Sequence, residues 1–262
     1  MGNSLPSSLD LGGRVVKIKC QIAEGGCGYV YKGEDELGKE YALKIVRVAR
    51  ERGGGPVVDE EAAEMASLEQ TVVKRLCPHP NIVEAFDCGT TWEDSEVRYH
   101  ILSEFCPRSV LGMLSDARRG PAGHLPERDI MWILRDTLMA LLHMHSQSPP
   151  IAHRDLKVEN LLIGADGRCK LCDFGSCSVT HRAFAGARDA ALAKEEIRRR
   201  TTPAYRAPEQ VDLHLGHVVS ERVDVWALGV LLFKLAFGAT PFEDARGDVQ
   251  NLGILGGFRA ER

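Results

Sequence analysis

The stretch His153-Arg154-Asp155-Leu156-Lys157-Val158-Glu159-Asn160, followed by Asp173-Phe174-Gly175, constrains this chain more than any other. Among its side chains are the oxygen acceptors Asp155, Asn160 and Asp173 and the cation Lys157. That inventory suits moving a phosphoryl group. A carboxylate can take a hydroxyl proton, while a carboxylate and an amide oxygen can hold hard cations. A lysine can neutralise charge on the transferring group. The surrounding residues also constrain local structure. Leu161-Leu162-Ile163 and Lys170-Leu171-Cys172 flank an Asp166-Gly167 turn and read as a short hairpin. Such a hairpin holds Asn160 and Asp173 on facing strand ends, directed at one cleft.

Upstream, the pattern is β-like: Val15, Val16 and Ile18, then Tyr29, Val30 and Tyr31, then residues 41–48. Gly38 marks a turn between the second and third runs, so an antiparallel meander is predicted. Residues 1–13 lack periodicity and read as a flexible tail. Glu24-Gly25-Gly26-Cys27-Gly28, between the first two strands, reads by itself as a hairpin turn. Lys44 ends the apolar run Tyr41-Ala42-Leu43, a place where a lone lysine is usually a surface residue. After a loop containing Gly53-Gly54-Gly55-Pro56, Asp59 is a reasonable helix N-cap, and Glu60 and Glu61 suit the positive helix end. Met65, Leu68, Val72 and Leu76 recur at helical spacing. Glu69 falls inside that stripe, and a carboxylate on a buried face needs a partner. Lys44 is the natural partner; a rim glutamate reaching solvent is the alternative. The helix ends before Pro78, and residues 81–84 and 98–104 read as two more strands.

From Val110 the chain becomes mainly helical. A long helix within 125–145 carries Ile130, Ile133, Leu134, Leu138, Leu141 and Leu142 on one side. His143 and His145 sit two apart on it, face differently and make no metal motif. Residues 188–200 hold strong helix formers and no Gly or Pro, so a helix is predicted there, a disordered charged segment being the alternative. Asp224-Val225-Trp226-Ala227-Leu228-Gly229 opens a helix that is apolar all round and so belongs in a core. Net charge is −4, from 33 basic and 37 acidic residues, which gives no electrostatic case for nucleic acid. The best apolar run, residues 225–233, falls well short of the roughly 18 residues a membrane helix needs. No secretory signal is visible, so the eight cysteines are expected as reduced thiols. Cys169 and Cys172 have no second pair at zinc-finger spacing and read as strand positions leading into Asp173. Met1-Gly2 hints at lipidation, but Pro6 stands where Ser or Thr is wanted.

The opening stretch resembles the catalytic loop of eukaryotic protein kinases and the Asp-Phe-Gly motif that follows it. Tyr41-Ala42-Leu43-Lys44 is similar to the kinase strand whose lysine pairs the α/β-phosphates, and Ala207-Pro208-Glu209 to the end of the activation segment. The loop at 23–28 resembles the kinase glycine-rich loop, with Ala23 at the first glycine position, Gly25 and Gly28 at the others, and Cys27 at the tip. Several segments resemble the Numb-associated kinase family, which includes the adaptor-associated and cyclin-G-associated kinases. Besides the two opening motifs, the carriers are Ala23-Glu24-Gly25-Gly26, Pro149-Pro150-Ile151, Glu195-Glu196-Ile197, Thr201-Thr202-Pro203-Ala204-Tyr205-Arg206-Ala207-Pro208-Glu209 and Pro241-Phe242-Glu243-Asp244. That family also places a helix in its activation segment.

The resemblance runs from about Cys20 to Phe258 and implies an α+β, bilobal protein-kinase fold. A small antiparallel sheet lobe with one helix, hinge included, is expected over 14–106. A mainly α-helical large lobe, incomplete at its C-terminal end, is expected over 107–262. The resemblance implies a Ser/Thr kinase that uses ATP and Mg²⁺ on clathrin-adaptor, endocytic or actin-patch proteins, cytoplasmic or peripheral at endocytic membranes. Carried over, Lys44 held by Glu69 binds the α/β-phosphates, and Gly25, Gly26 and Gly28 let backbone amides cover them. Ile22, Ala23, Val30, Ala42 and Leu162 complete the nucleotide site, with Ser103 as gatekeeper and Glu104 to Cys106 as the hinge. Asp173 and Asn160 ligate Mg²⁺, Asp155 accepts the hydroxyl proton, Lys157 steadies the γ-phosphate, and Thr202 joins Asp155 and Lys157. Asp224 is expected to accept hydrogen bonds from catalytic-loop amides. Arg154 is placed to pair with a phosphate on the activation segment, where Ser176, Ser178, Thr180 and Thr201 are the hydroxyls. The helix at 188–200 is the other means of ordering that segment. Ala23, Cys27 and the chain's stop soon after Phe242 leave open a kinase-like scaffold or truncated fragment in which Glu209 lacks a partner.

Overall fold

A computed structural model describes residues 7–25, 28–51, 55–184, 186–244 and 246–257. Gly2, Gly26, Cys27 and residues 258–262 lie outside the described residues. Two compact units result: Met1–Pro107 with Gly164–Gly167, and Arg108–Ile163 with Arg168–Arg262.

The first unit contains β1 (Ser8–Leu11), β2 (Arg14–Gly25), β3 (Gly28–Glu34), β4 (Glu40–Ala49), α1 (Glu60–Leu76), β5 (Ala85–Trp92) and β6 (Glu96–Glu104). The strands form an antiparallel sheet in the order β1-β2-β3-β4-β6-β5. The tail expected over 1–13 is corrected at β1, which pairs with β2 from Ser8↔Lys17 to Leu11↔Arg14. Gly12 and Gly13 both have positive φ, and the Gly13 N–H donates to Asp10 Oδ1. This is the two-glycine hairpin chemistry that lets so short a connection follow the sheet's twist. Leu11 then joins Val16, Tyr41, Leu43, Ile45 and Leu102 in a buried cluster. Along β4 the period of two sends Tyr41, Leu43 and Ile45 to that cluster, so Lys44 points to the opposite face. Helix α1 begins as expected, with Asp59 Oδ1 accepting the Ala62 N–H. Its Gln70 donates to the carbonyls of Gly89 and His100, tying the helix to β5 and β6. The strand expected at 81–84 forms later, at Ala85–Trp92. Asp87 and Gly89 are residues of weak strand preference, and pairing with β6 carries the strand through them.

The second unit contains β7 (Arg108–Ser109), α2 (Val110–Arg119), α3 (Glu127–His145), β8 (Leu161–Ile163), β9 (Cys169–Leu171), α4 (Ala187–Arg200), α5 (Pro208–Val211), α6 (Arg222–Phe237) and α7 (Asn251–Gly256). The hairpin expected around Asp166-Gly167 forms, with Leu161 opposite Leu171. The helix expected at 188–200 forms as α4. On α3 the apolar stripe needs correction: Ile133 and Leu141 are buried with Ala140 and Met144, while Leu138 and Leu142 are exposed. The strict apolar count misled because Asp136 and Thr137 take inward positions by hydrogen bonding, Thr137 to the Ile133 carbonyl. Helix α6 buries Val223, Asp224, Ala227, Val230, Leu231 and Leu235, but exposes Val225 and Phe237. The all-round burial expected of it is therefore met on one side. The inner face of α4, Ala190, Ala193 and Ile197, packs with Ala207, Leu213, Val219 and Val223. An antiparallel sheet unit followed by a mainly helical one makes the α+β architecture the sequence implied.

Candidate functional site

In the first unit Lys44 and Glu69 meet. Strand β4 holds Lys44 between Val30 of β3 and Ile101 of β6, and α1 turns Glu69 inward among Ala66, Val72 and Val73. The Lys44 Nζ lies 2.7 Å from Glu69 Oε1 and 2.8 Å from Oε2. Glu69 is nearly buried, so the ammonium provides the partner its carboxylate requires. The loop between β2 and β3 closes at Gly25↔Gly28, and Gly28 adopts φ +128°, open to glycine alone. Ile22 and Ala23 lie exposed on β2, and Val30 on β3 is partly buried. Ala42 pairs directly with Ser103, whose hydroxyl donates to the Ala42 carbonyl. Glu104 ends β6 with its Oε1 accepting the Glu84 N–H, and Cys106 follows, partly buried. Gly26 falls outside the described residues.

The second unit gathers Asp155, Lys157, Asn160 and Thr202. Asp155 Oδ1 accepts both the N–H of Thr202, at 3.0 Å, and its hydroxyl, at 2.7 Å. Lys157 Nζ stands 2.7 Å from Asp155 Oδ2 and 3.0 Å from Thr202 Oγ1. Asn160 Nδ2 donates to the Asp155 carbonyl at 2.8 Å, which commits its nitrogen and leaves the amide oxygen as its donor atom for a cation. The Cys172 N–H donates to the Asn160 carbonyl, so the hairpin register runs on and Asp173 follows Asn160's partner directly. Leu162 lies on β8 opposite Lys170. Arg154 and Asp173 both sit in the left-handed region, at φ +68° and +64°. Such conformations in residues other than glycine are costly and concentrate at functional sites.

Beneath this loop lies Asp224, with no exposed surface. Its Oδ2 accepts the His153 N–H at 2.7 Å and its Oδ1 the Arg154 N–H at 2.8 Å, as expected for catalytic-loop amides. His145 Nε2 stands 2.9 Å from Asp224 Oδ2. Sequence reading found no role for His145, since nothing local links a histidine ending one helix to an aspartate opening another. Asp136 was missed likewise; its Oδ2 accepts the Cys169 N–H and fixes the start of β9. Burial pushes the Tyr205 phenol well above its usual range, and burial lowers the Arg206 guanidinium. Two arginines grip the end of α4: Arg154 pairs with Glu196, and Arg206 donates to the Arg198 and Thr201 carbonyls.

The oxygen donors of Asn160 and Asp173 fit a hard cation such as Mg²⁺. Among the described residues no group of three or more His, Cys, Asp or Glu is placed to hold a metal. Mg²⁺ commonly takes one or two protein ligands and completes its shell with water and substrate oxygens. Cys169 is in β9 and Cys172 just after it, leading into Asp173. No helix among the described residues is long and apolar enough to cross a membrane.

Residues 16–258 match the protein kinase domain family. A probable serine/threonine-protein kinase of Dictyostelium discoideum is 37% identical over 97% of this chain and 22% of its own length. The actin-regulating kinase PRK1 of Saccharomyces cerevisiae is 32% identical over 90% of this chain and 29% of its own. The serine/threonine-protein kinase AKL1 of the same yeast is 34% identical over 89% of this chain and 22% of its own. The chain thus spans about a quarter of the length of the curated relatives it matches.

Proposed function

Since the chain belongs to the protein kinase domain family, we propose that it is a serine/threonine protein kinase that moves the γ-phosphoryl group of ATP to Ser or Thr hydroxyls of proteins. The observation that carries this reading is the clasp on Asp155: one carboxylate oxygen held twice by Thr202, the other by Lys157. The family's sheet lobe is assigned to 14–106 and its helical lobe to 107–262.

In this mechanism Asp155 orients the acceptor hydroxyl and takes its proton as the oxygen attacks the γ-phosphorus. The bond to the ADP oxygen breaks and ADP leaves. Thr202 keeps Asp155 in one rotamer, and Lys157 moves its charge onto the transferring group. Lys44, oriented by Glu69, binds the α/β-phosphates, and backbone amides near Gly25 and Gly28 cover them. Ser103, Glu104 and Cys106 are assigned to adenine binding, and Ile22, Ala23, Val30, Ala42 and Leu162 to apolar contacts with the nucleotide, as the kinase resemblance implies. Asn160 and Asp173 would hold Mg²⁺, which when bound neutralises phosphate charge. Catalysis here is mostly positioning and electrostatics.

The finer assignment is to the Numb-associated family, supported by the helix α4 in the activation segment and by the actin-regulating kinase among the relatives. On that reading the substrates are endocytic, clathrin-adaptor or actin-regulating proteins, met in the cytoplasm or at endocytic membranes. The deciding experiment combines a Mg²⁺-dependent thermal shift with ATP and transfer of radiolabelled γ-phosphate to a mixed Ser/Thr peptide library. Wild type is expected to shift and to turn over at about 1–100 per second, and Asp155→Asn, Asp173→Ala and Lys44→Ala to lose transfer. Absence of both shift and transfer in folded wild type overturns the proposal. Retained wild-type transfer in any one variant refutes that residue's role.

A further inference from the structure

Helix α4 ends in three consecutive arginines, Arg198, Arg199 and Arg200, and their surroundings differ. Arg200 is mostly buried, its Nη1 3.9 Å from Glu196 Oε1. Arg198 and Arg199 stay on the surface, their side chains 66% and 52% exposed. Both turn back along the helix to Glu195. Arg198 donates from Nε to Oε2 at 2.9 Å and from Nη2 to Oε1 at 2.7 Å, and Arg199 donates from Nε to Oε1 at 2.8 Å.

The ordinary use of basic residues in a last turn is to face the negative end of the helix. Here Arg206 does that, donating to the carbonyls of Arg198 and Thr201. Arg198 and Arg199 converge instead on a carboxylate, the geometry in which a guanidinium fork recognises carboxylate or phosphate oxygens. Two guanidiniums share that one carboxylate, so the trio keeps a positive charge, and the Arg206 guanidinium bound at the Arg198 carbonyl adds a second.

The chain itself fixes how far this charge lies from the reacting hydroxyl. Thr202 Oγ1 is 2.7 Å from Asp155 Oδ1. From Thr202 back to Arg198 is four residues, which span at most about 14 Å. An extended peptide with its acceptor at Asp155 reaches the pair within about five of its own residues.

We propose that Arg198 and Arg199 are specificity-determining residues that select an anionic side chain, Asp, Glu or a phosphorylated Ser, within about five residues of the acceptor. This inference rests on the phosphotransfer reading above, and goes beyond it in naming the substrates that are favoured.

The test uses the full chain, with each variant's folding checked by circular dichroism. Peptides with one Ser acceptor in a neutral background carry Asp, Glu, phosphoserine or Gln in turn at each of about five positions on either side. For wild type, an anion at one or more fixed positions should raise kcat/KM about 3- to 10-fold over Gln, through KM, and added salt should shrink the gain. The Asp, Glu and phosphoserine arms tell a carboxylate from a phosphate. The double variant Arg198→Gln, Arg199→Gln should lose the gain. Glu195→Gln removes the competing carboxylate and should enlarge the gain about twofold, whereas a pair that only braced α4 would leave selection where it was. Equal kcat/KM for all four residues at every position overturns the proposal, as does a gain that survives in the double variant. If wild type transfers phosphate to no peptide, the kinase reading falls. Fluorescence anisotropy with a labelled peptide bearing Asp at every flanking position then decides the site alone: tighter binding to wild type than to the double variant upholds it, and equal binding overturns it. Should the double variant fail to fold, Glu195→Gln decides, and a gain that is not enlarged overturns the proposal.

Discussion

Asp224→Asn removes one charge and one acceptor from a side chain with no exposed surface. The carboxylate takes the Arg154 N–H on Oδ1, and the His153 N–H and the His145 ring on Oδ2. An amide offers only one oxygen. If its nitrogen replaces Oδ1, the Arg154 N–H faces another donor. If it replaces Oδ2, the His153 N–H does, while the His145 ring can adapt by changing tautomer. Either way one interior backbone donor is orphaned, at about 1–3 kcal/mol, and the remaining bonds fall from charge-assisted to neutral, at about 1 kcal/mol each. Relief of the buried carboxylate's desolvation works in the opposite direction. The net expected loss is about 2–4 kcal/mol, which lowers the second unit's unfolding midpoint by roughly 4–16 °C. Thermal melts followed by circular dichroism, with and without 1-anilinonaphthalene fluorescence to report exposed apolar surface, measure it. His145→Gln removes only the side-chain contact and should cost less than half as much. A midpoint for Asp224→Asn within about 1 °C of wild type would refute the reasoning, since it requires an orphaned interior N–H to cost nothing.

Other outcomes follow from the first unit. Gly28→Ala puts a Cβ against the Ile45 carbonyl and 3.1 Å from Val46 Cα, at φ +128°. Neither neighbour is a side chain that can swing away, so a loss of at least about 1–3 kcal/mol is expected in urea titrations, while Gly13→Ala, with nothing near it, should cost less. Burial pushes the Cys88 thiol up to about 11. At pH 8 its thiolate fraction is then about a thousandth, so iodoacetamide with peptide mapping should label the exposed Cys20 far sooner. Burial also lowers His100, outweighing the opposing pull of Asp87. The unfolded chain therefore takes up a proton that the folded one resists, so stability is fully present above about pH 6.5 and declines as pH falls below it. His100→Gln should flatten that slope in melts between pH 7 and 5, and an unchanged slope would count against burial as the cause.

Much of the site was legible because its parts are consecutive. Asp155, Lys157 and Asn160 lie on one short loop, and the Asp166-Gly167 turn returns the chain so that Asp173 arrives beside Asn160. Glu69 was readable in two steps: a carboxylate in an apolar stripe needs a cation, and the resemblance to the kinase Lys–Glu pair pointed to Lys44. The glycine pair 12–13 was a hairpin signal passed over because no apolar alternation preceded it. Strand β5 starts later than expected: Asp87 and Gly89 break its local pattern, and pairing with β6 carries the strand through them. His145 and Asp136 left no signal, because each acts through a bond to a backbone or side chain far along the chain.

What the sequence determined by itself was the chemistry and the local geometry: the oxygen donors and cation of the catalytic loop, the hairpin that aligns them, and the helix at α4. Those depend on neighbours within a few residues, where propensity, turn residues and period are sufficient. Only the tertiary structure decided what holds that chemistry in place. The kinase resemblance had implied Asp224 under two loop amides and Thr202 against Asp155; the tertiary structure alone set His145 on Asp224 and turned Glu196 of α4 onto Arg154. The physical reason is that a buried charge or donor accepts any partner of suitable kind, and many residues in this chain qualify. The choice among them is made by packing, which brings particular candidates within hydrogen-bond distance and keeps others away.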